Sequence, residues 1–191
     1  MELLLVRHGR PERVDHDPNG ADPQLTELGH RQAQRMSSYL SGESIDAIYV
    51  SPQRRARQTA MPLMCMLEMD APVVDGIAEF DLGEHAYIPG EEYGPLSAEE
   101  LDALTAKMTA PDFVGRVRDA IDEIIANHPG ERVVAVCHGG VISTVLNDIL
   151  GGDSGRYFDA DYTSVTRICA SPTGRRSLSS FNECHWLRDI A

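Results

Sequence analysis

The chain has 191 residues, of which 42% are hydrophobic and 25% charged, and its net charge is −13. That length suits one domain that buries a core without staples, and no apolar stretch reaches the roughly 18 residues that a membrane span needs. The acidic balance argues against nucleic acid or an anionic membrane as partner, because both select basic patches.

Leu3-Leu4-Leu5-Val6 is an unbroken apolar run that stops at Arg7-His8-Gly9. Such a run reads as a strand buried on both faces of a parallel sheet. The sequence opens directly on it, with no basic n-region and no apolar h-region, so a secretory signal is not expected. A polar loop from Pro11 to Gln24 follows. Thr26 is placed to cap a helix running to about Leu40, with Gly42 beyond its end. Ile45 to Val50 reads as a second strand, and Ser51-Pro52 as the start of a helix through Met61, Met64 and Leu67. A third strand is expected near Pro72 to Val74, then an irregular excursion from Gly76 to Leu96. Ser97-Ala98-Glu99-Glu100 forms a capping box for a short helix. Pro111 opens a longer one to about Asn127, with Phe113, Val117, Ile121, Ile124 and Ile125 on one face. Val133 to Val136 is another buried strand, ending at Cys137-His138-Gly139-Gly140, and a helix from about Val141 to Leu150 follows. Two strands, near Ser164 to Ala170 and Arg176 to Phe181 and joined by Pro172-Thr173-Gly174, close the pattern. Strands alternating with helices predict an α/β fold with a largely parallel sheet, in a single domain spanning 1–191.

Cys65, Cys137, Cys169 and Cys184 form no Cys-x-x-Cys pair and read as buried free thiols of a cytoplasmic protein. Met61, Met64, Met66 and Met69 read as core packing.

Open α/β sheets bind ligands at the carboxyl ends of their strands. His8 and His138 therefore sit where such a sheet keeps its chemistry, although 130 residues apart, and each precedes a glycine that lets a ligand approach. Arg7 next to His8 after a buried strand is costly unless it holds an anion. Arg54, Arg55 and Arg57 stand at a helix N-terminus, where the dipole disfavours cations, unless an anion binds there with them.

Four blocks in this order resemble the histidine phosphatase superfamily, also called phosphoglycerate-mutase-like. They are Arg7-His8-Gly9, Leu25-Thr26-Glu27-Leu28-Gly29-His30-Arg31-Gln32-Ala33, the block from Ser51 through Ala60, and His138-Gly139-Gly140. The resemblance implies a three-layer α/β/α sandwich. It implies that His8 is the nucleophile, carried through a phosphohistidine, and that Arg7, Arg55 and His138, with Gly139, hold the phosphoryl oxygens. It calls for no cofactor and no metal, and for an acid shortly after the third strand. Glu79 fits that position best, between apolar neighbours that would raise its pKa, with Asp81 and Glu84 as rivals. Phosphoryl transfer needs positioning and cations more than covalent help, and neighbouring Arg charges favour the neutral imidazole that attacks.

The chain departs from the family pattern after Gly9. Arg10-Pro11-Glu12 follows, and no Trp-Asn appears; Arg10 either replaces that phosphate contact or only solvates the loop. Cys137 stands where relatives often carry Ser or Thr. By the resemblance, residues at about 76–110 form a cap over the substrate. From Thr59 to Ala106 there is no Lys or Arg, against eleven Asp and Glu. A mutase must grip a second anionic group, and that grip wants cations. The favoured reading is therefore a metal-independent phosphatase acting on a small phosphomonoester. Phosphoglycerate mutase, phosphoprotein or phosphohistidine phosphatase, and a non-catalytic phosphoryl-binding module are the alternatives. A homodimer is compatible with this reading and not required by it.

Overall fold

The computed structural model describes residues 1–92, 94–151, 157–171 and 173–188. Its elements are β1 (Glu2–Arg7), α1 (Glu27–Leu40), β2 (Ala47–Val50), α2 (Arg54–Leu67), α3 (Ala98–Met108), α4 (Pro111–Asn127), β3 (Arg132–Cys137), α5 (Gly139–Leu150), β4 (Val165–Ala170) and β5 (Arg176–Glu183). The strands form one sheet in the order β2-β3-β1-β4-β5. β1, β2 and β3 are parallel to one another, β4 is antiparallel to β1, and β5 is antiparallel to β4, so the sheet is mixed. The expected strand at Pro72 to Val74 shrinks to one parallel bridge, Val50 to Val73. Pro72 has no N–H to give a ladder, and the segment leaves the sheet after two hydrogen bonds to Val50. Pro172, expected in the β4–β5 turn, lies outside the described residues.

Alternation along the strands builds two cores. Leu3, Leu5, Val133, Ala135 and Cys137 face α4 and α5. Leu4, Val6, Val134 and Val136 face α1 and α2. That is why β1 and β3 are unbroken apolar runs, and it gives three layers. Two helices, α1 and α3, start at side-chain caps. Thr26 Oγ1 accepts from Gly29 N, and Ser97 with Glu100 completes a capping box. α2 begins at Arg54 rather than at Ser51-Pro52, because Ser51 N extends the ladder to Val136 O. Of the methionines, Met64 and Met69 pack on the core, but Met61 and Met66 are exposed. Of the cysteines, Cys137 is buried, but Cys65 and Cys169 are exposed. A residue on the outward face of its helix or strand stays wet whatever its apolarity. No described helix is long and apolar enough to cross a membrane.

The loop after β1 crosses α1 at glycines. A Cβ on Gly29 would stand 2.2 Å from Arg10 O, and one on Gly9 would stand 2.7 Å from Gly29 O. Arg10 O cannot retreat easily, since it accepts from Thr26 N at 2.9 Å and Thr26 Oγ1 at 3.0 Å. Gly29→Ala gains about 1 kcal/mol of helix propensity but drives a methyl into fixed backbone, which costs about 1–3 kcal/mol or more. The clash is expected to win. Urea denaturation of Gly29→Ala should show a lower midpoint than the parent; an equal or higher one would show that the loop yields freely.

Candidate active site

Register brings the two histidines together. Arg7 lies opposite Cys137, and Val50 opposite Val136. The ladder runs one step further, with His8 N donating to Cys137 O and Ser51 N to Val136 O, both at 3.0 Å. His8, Ser51 and His138 therefore leave three adjacent strands at one carboxyl edge, and the His8 and His138 rings stand 5.1 Å apart.

His8 is buried, and its Nδ1 is 2.8 Å from Gly9 O. A carbonyl only accepts, so Nδ1 carries the proton and Nε2 keeps its lone pair. Arg55 Nε donates to that Nε2 at 3.3 Å. Burial first, then the Arg55 and Arg7 charges, push the His8 pKa well below its ordinary value, so the ring is neutral. His138 is held down likewise, by burial and then Arg55. Its Nε2 lies 2.6 Å from Ser51 Oγ. Gln53 N donates to the same Oγ, at a long 3.4 Å, which leaves the hydroxyl proton for His138 and puts the ring proton on Nδ1.

Arg55 is only 1% exposed. Its Nη2 donates to both Asp81 oxygens at 2.8 and 2.9 Å, and its plane lies 4.7 Å from the Tyr87 ring. Arg7 gives one N–H to Ala160 O and stacks 4.3 Å over Tyr162. Among the described residues of the site, three buried nitrogens have no partner: Arg55 Nη1, Arg7 Nε and His138 Nδ1. Orphaned buried donors are costly, and three around one neutral imidazole mark a missing acceptor. Gly139 opens α5 on the wall of the same cavity, at the positive end of the helix.

Glu79 is 7% exposed. Burial first, then the Asp81 charge, raise its pKa to about 7. Its Oε2 accepts from Gly140 N at 2.8 Å, its Oε1 from Phe80 N at 3.1 Å, and Gln53 Oε1 holds its backbone N. The rivals are differently occupied. Asp81 is the counterion of Arg55, and Glu84 is half exposed and bonded to Lys107 Nζ at 2.7 Å. Arg10 lines the cavity, but its guanidinium is taken by Glu91 at 2.6 Å and Glu92 at 3.1 Å. Lys107 also lines the cavity, so the expectation of an excursion without cations ends at Ala106. Cys137 is fully buried, and burial raises its thiol far above the ordinary value, which makes it inert.

The sequence reading missed Gln53, Thr59, Tyr87 and Tyr162. Thr59 Oγ1 accepts from Gly9 N at 2.9 Å and ties the His8 loop to α2. Gln53 and Thr59 fall inside the Ser51-to-Ala60 block, so their positions were visible although their partners were not. No local pattern marks the two tyrosines. Among the described residues, no group of three or more His, Cys, Asp or Glu side chains is placed to hold a metal.

Residues 3–183 match the model of the histidine phosphatase superfamily, branch 1. The uncharacterized phosphatase PhoE of Bacillus subtilis is 30% identical over 172 residues, covering 88% of this chain and 86% of its own. Phosphoserine phosphatase 1 of Hydrogenobacter thermophilus is 28% identical over 181 residues, with 88% and 86% covered. A phosphoserine phosphatase of Entamoeba histolytica, solved as a mutant with phosphoserine, superposes with a TM-score of 0.74 at 23% identity, covering 97% of this chain and 98% of that one. This last likeness shows the fold alone.

The seat of Glu79 depends on Gly140. A Cβ there would stand 2.3 Å from Glu79 Oε1 and 2.9 Å from Phe80 Cδ1. Gly140→Ala should push the carboxyl toward water and bring its titration down from about 7 toward the ordinary Glu range. Carbon NMR of labelled Glu reads this directly; an unmoved titration would show that the cavity absorbs the methyl.

Proposed function

Since this chain belongs to the histidine phosphatase superfamily, branch 1, we propose that it hydrolyses a phosphomonoester through a phosphohistidine on His8. The observation that carries this reading is that three orphaned donors, Arg55 Nη1, Arg7 Nε and His138 Nδ1, surround a neutral imidazole whose unprotonated Nε2, held by a long 3.3 Å bond from Arg55 Nε, carries the lone pair that attacks. A phosphoryl group supplies the acceptors those donors lack, and its developing charge meets two guanidiniums. The activities for which the relatives are named, phosphoserine phosphatase among them, support the same reaction class.

In the first step His8 Nε2 bonds to phosphorus as the bond to the ester oxygen breaks. Glu79 gives its proton to that oxygen, and the alcohol departs neutral. Water then attacks the phosphohistidine, Glu79 carboxylate takes its proton, and His8 leaves as the neutral ring. A carboxyl titrating at about 7 serves both halves, since each needs the opposite form. A bound phosphate dianion raises that value further. Arg10 stands outside the phosphoryl cradle. The segment at about 76–110, with α3, serves as the cap that closes the cavity over the leaving group. A mutase reading has no observation of its own here.

His8→Ala should lower kcat by about four orders of magnitude and leave no acid-labile phosphate on the quenched protein. Excess chelator should not change the parent's rate. Phosphate still trapped on His8→Ala would place the nucleophile elsewhere, and a rate restored only by a divalent ion would overturn the mechanism.

Glu79→Gln should cost about a hundredfold or more on an alkyl phosphate, whose alkoxide needs a proton, and under about tenfold on a nitrophenyl phosphate. The sign for pH follows from the raised pKa. The protonated acid disappears as pH rises past about 7, so kcat/KM for alkyl esters should fall there. The low His8 pKa keeps the ring neutral on the acid side. Equal losses on both esters, or an alkaline limb surviving in Glu79→Gln, would remove Glu79 from the role.

A further inference from the structure

We propose that the cavity selects a phosphomonoester whose alcohol is bulky, apolar and free of a second anion, and that Glu91 and Glu92 enforce this by occupying Arg10. The proposal rests on the phosphatase reading and names its substrate class.

The cavity holds about 1080 Å³, far more than a phosphoryl group fills. Its lining includes the apolar side chains of Leu28, Ile88, Leu96, Leu101, Leu104 and Met108, of which Leu101 is 50% exposed. Leu96 precedes α3, and Leu101, Leu104 and Met108 are on it. Only Met108 of that helix is buried, so the short helix has almost no core of its own. Its leucines face a space that an apolar ligand would fill, and burying such surface is favourable.

The charges at the mouth are already matched. Arg10 Nε donates to Glu91 at 2.6 Å and its Nη2 to Glu92 at 3.1 Å. Glu91 accepts in addition from the Tyr162 hydroxyl at 2.8 Å, and Tyr162 carries Arg7 on its ring face. Glu92 is shared with Arg13. Lys107 is bonded to Glu84. Among the described lining residues, four cations, Arg7, Arg10, Arg55 and Lys107, meet six carboxyl groups. Arg7 and Arg55 belong to the phosphoryl cradle. A second anionic group on the substrate therefore finds no spare cation. It must break the Arg10 or Lys107 pair and then face the carboxylate it displaced. A neutral apolar alcohol breaks nothing. A relative named as a phosphoserine phosphatase takes a charged alcohol, whereas the paired Arg10 here favours a neutral one.

The test compares phenethyl phosphate with 3-phosphoglycerate at low salt, with nitrophenyl phosphate as the reference. The parent should favour phenethyl phosphate in kcat/KM by about a hundredfold, and added salt should narrow the gap by screening the mouth charges. Glu91→Gln combined with Glu92→Gln frees Arg10 and should raise kcat/KM for 3-phosphoglycerate by about tenfold. Arg10→Ala added to that pair should cancel the gain. These carboxylates are solvent-accessible, so the variants should keep the parent's melting temperature, which is measured beside the kinetics. A parent that turns over 3-phosphoglycerate as well as phenethyl phosphate, or a double variant with an unchanged ratio, overturns the substrate proposal and leaves the phosphatase reading standing. No turnover of any of the three esters overturns both.

Discussion

A guanidinium buried at 1% exposure, that of Arg55, is the constraint on which the site depends. An isolated buried charge costs far more than a folded domain has to spare, so it must be paired. Asp81 supplies the counter-charge from the excursion, Tyr87 the stacked ring, and His8 Nε2 an acceptor. Asp81 and Tyr87 come from the excursion and His8 from the end of β1, so Arg55 fixes the excursion against the sheet edge as much as the sheet fixes Arg55. The balance is left incomplete at Nη1. The same guanidinium lowers the His8 pKa and is one of two charges that keep the nucleophile neutral. One residue thereby sets the protonation state, the anion affinity and the placement of the neighbouring carboxylates.

Glu79 and Asp81 show how two carboxyls two residues apart diverge. Asp81 spends its charge on Arg55, while Glu79 is buried beside that negative charge and accepts from two backbone N–H groups. The N–H bonds and Arg55 lower its pKa, but burial and Asp81 win, and the net shift is upward. Gln53 holds both, donating to Asp81 at 2.7 Å and accepting from Glu79 N at 2.7 Å. Gly140 leaves the room that the carboxyl fills. The separation of acid and counterion is thus built from one glutamine, one glycine and one arginine.

The sequence by itself determined the α/β alternation, the helix caps at Thr26 and Ser97, and the two buried strands ending at His8 and His138. These signals are local. Periodicity, capping and a strand end before glycine each span a few residues, and the four family blocks are contiguous runs. Only tertiary structure decided the rest. β4 pairs antiparallel with β1, a direction that no local pattern in either strand specifies. Arg10 meets Glu91 across 81 residues, and Tyr162 reaches the same carboxylate across 71. Ser51 orders His138 across 87. Such pairs follow from register and from the path of the excursion over the sheet edge. Neither is written in any short stretch, because a one-residue slip in register would carry each partner to the opposite face.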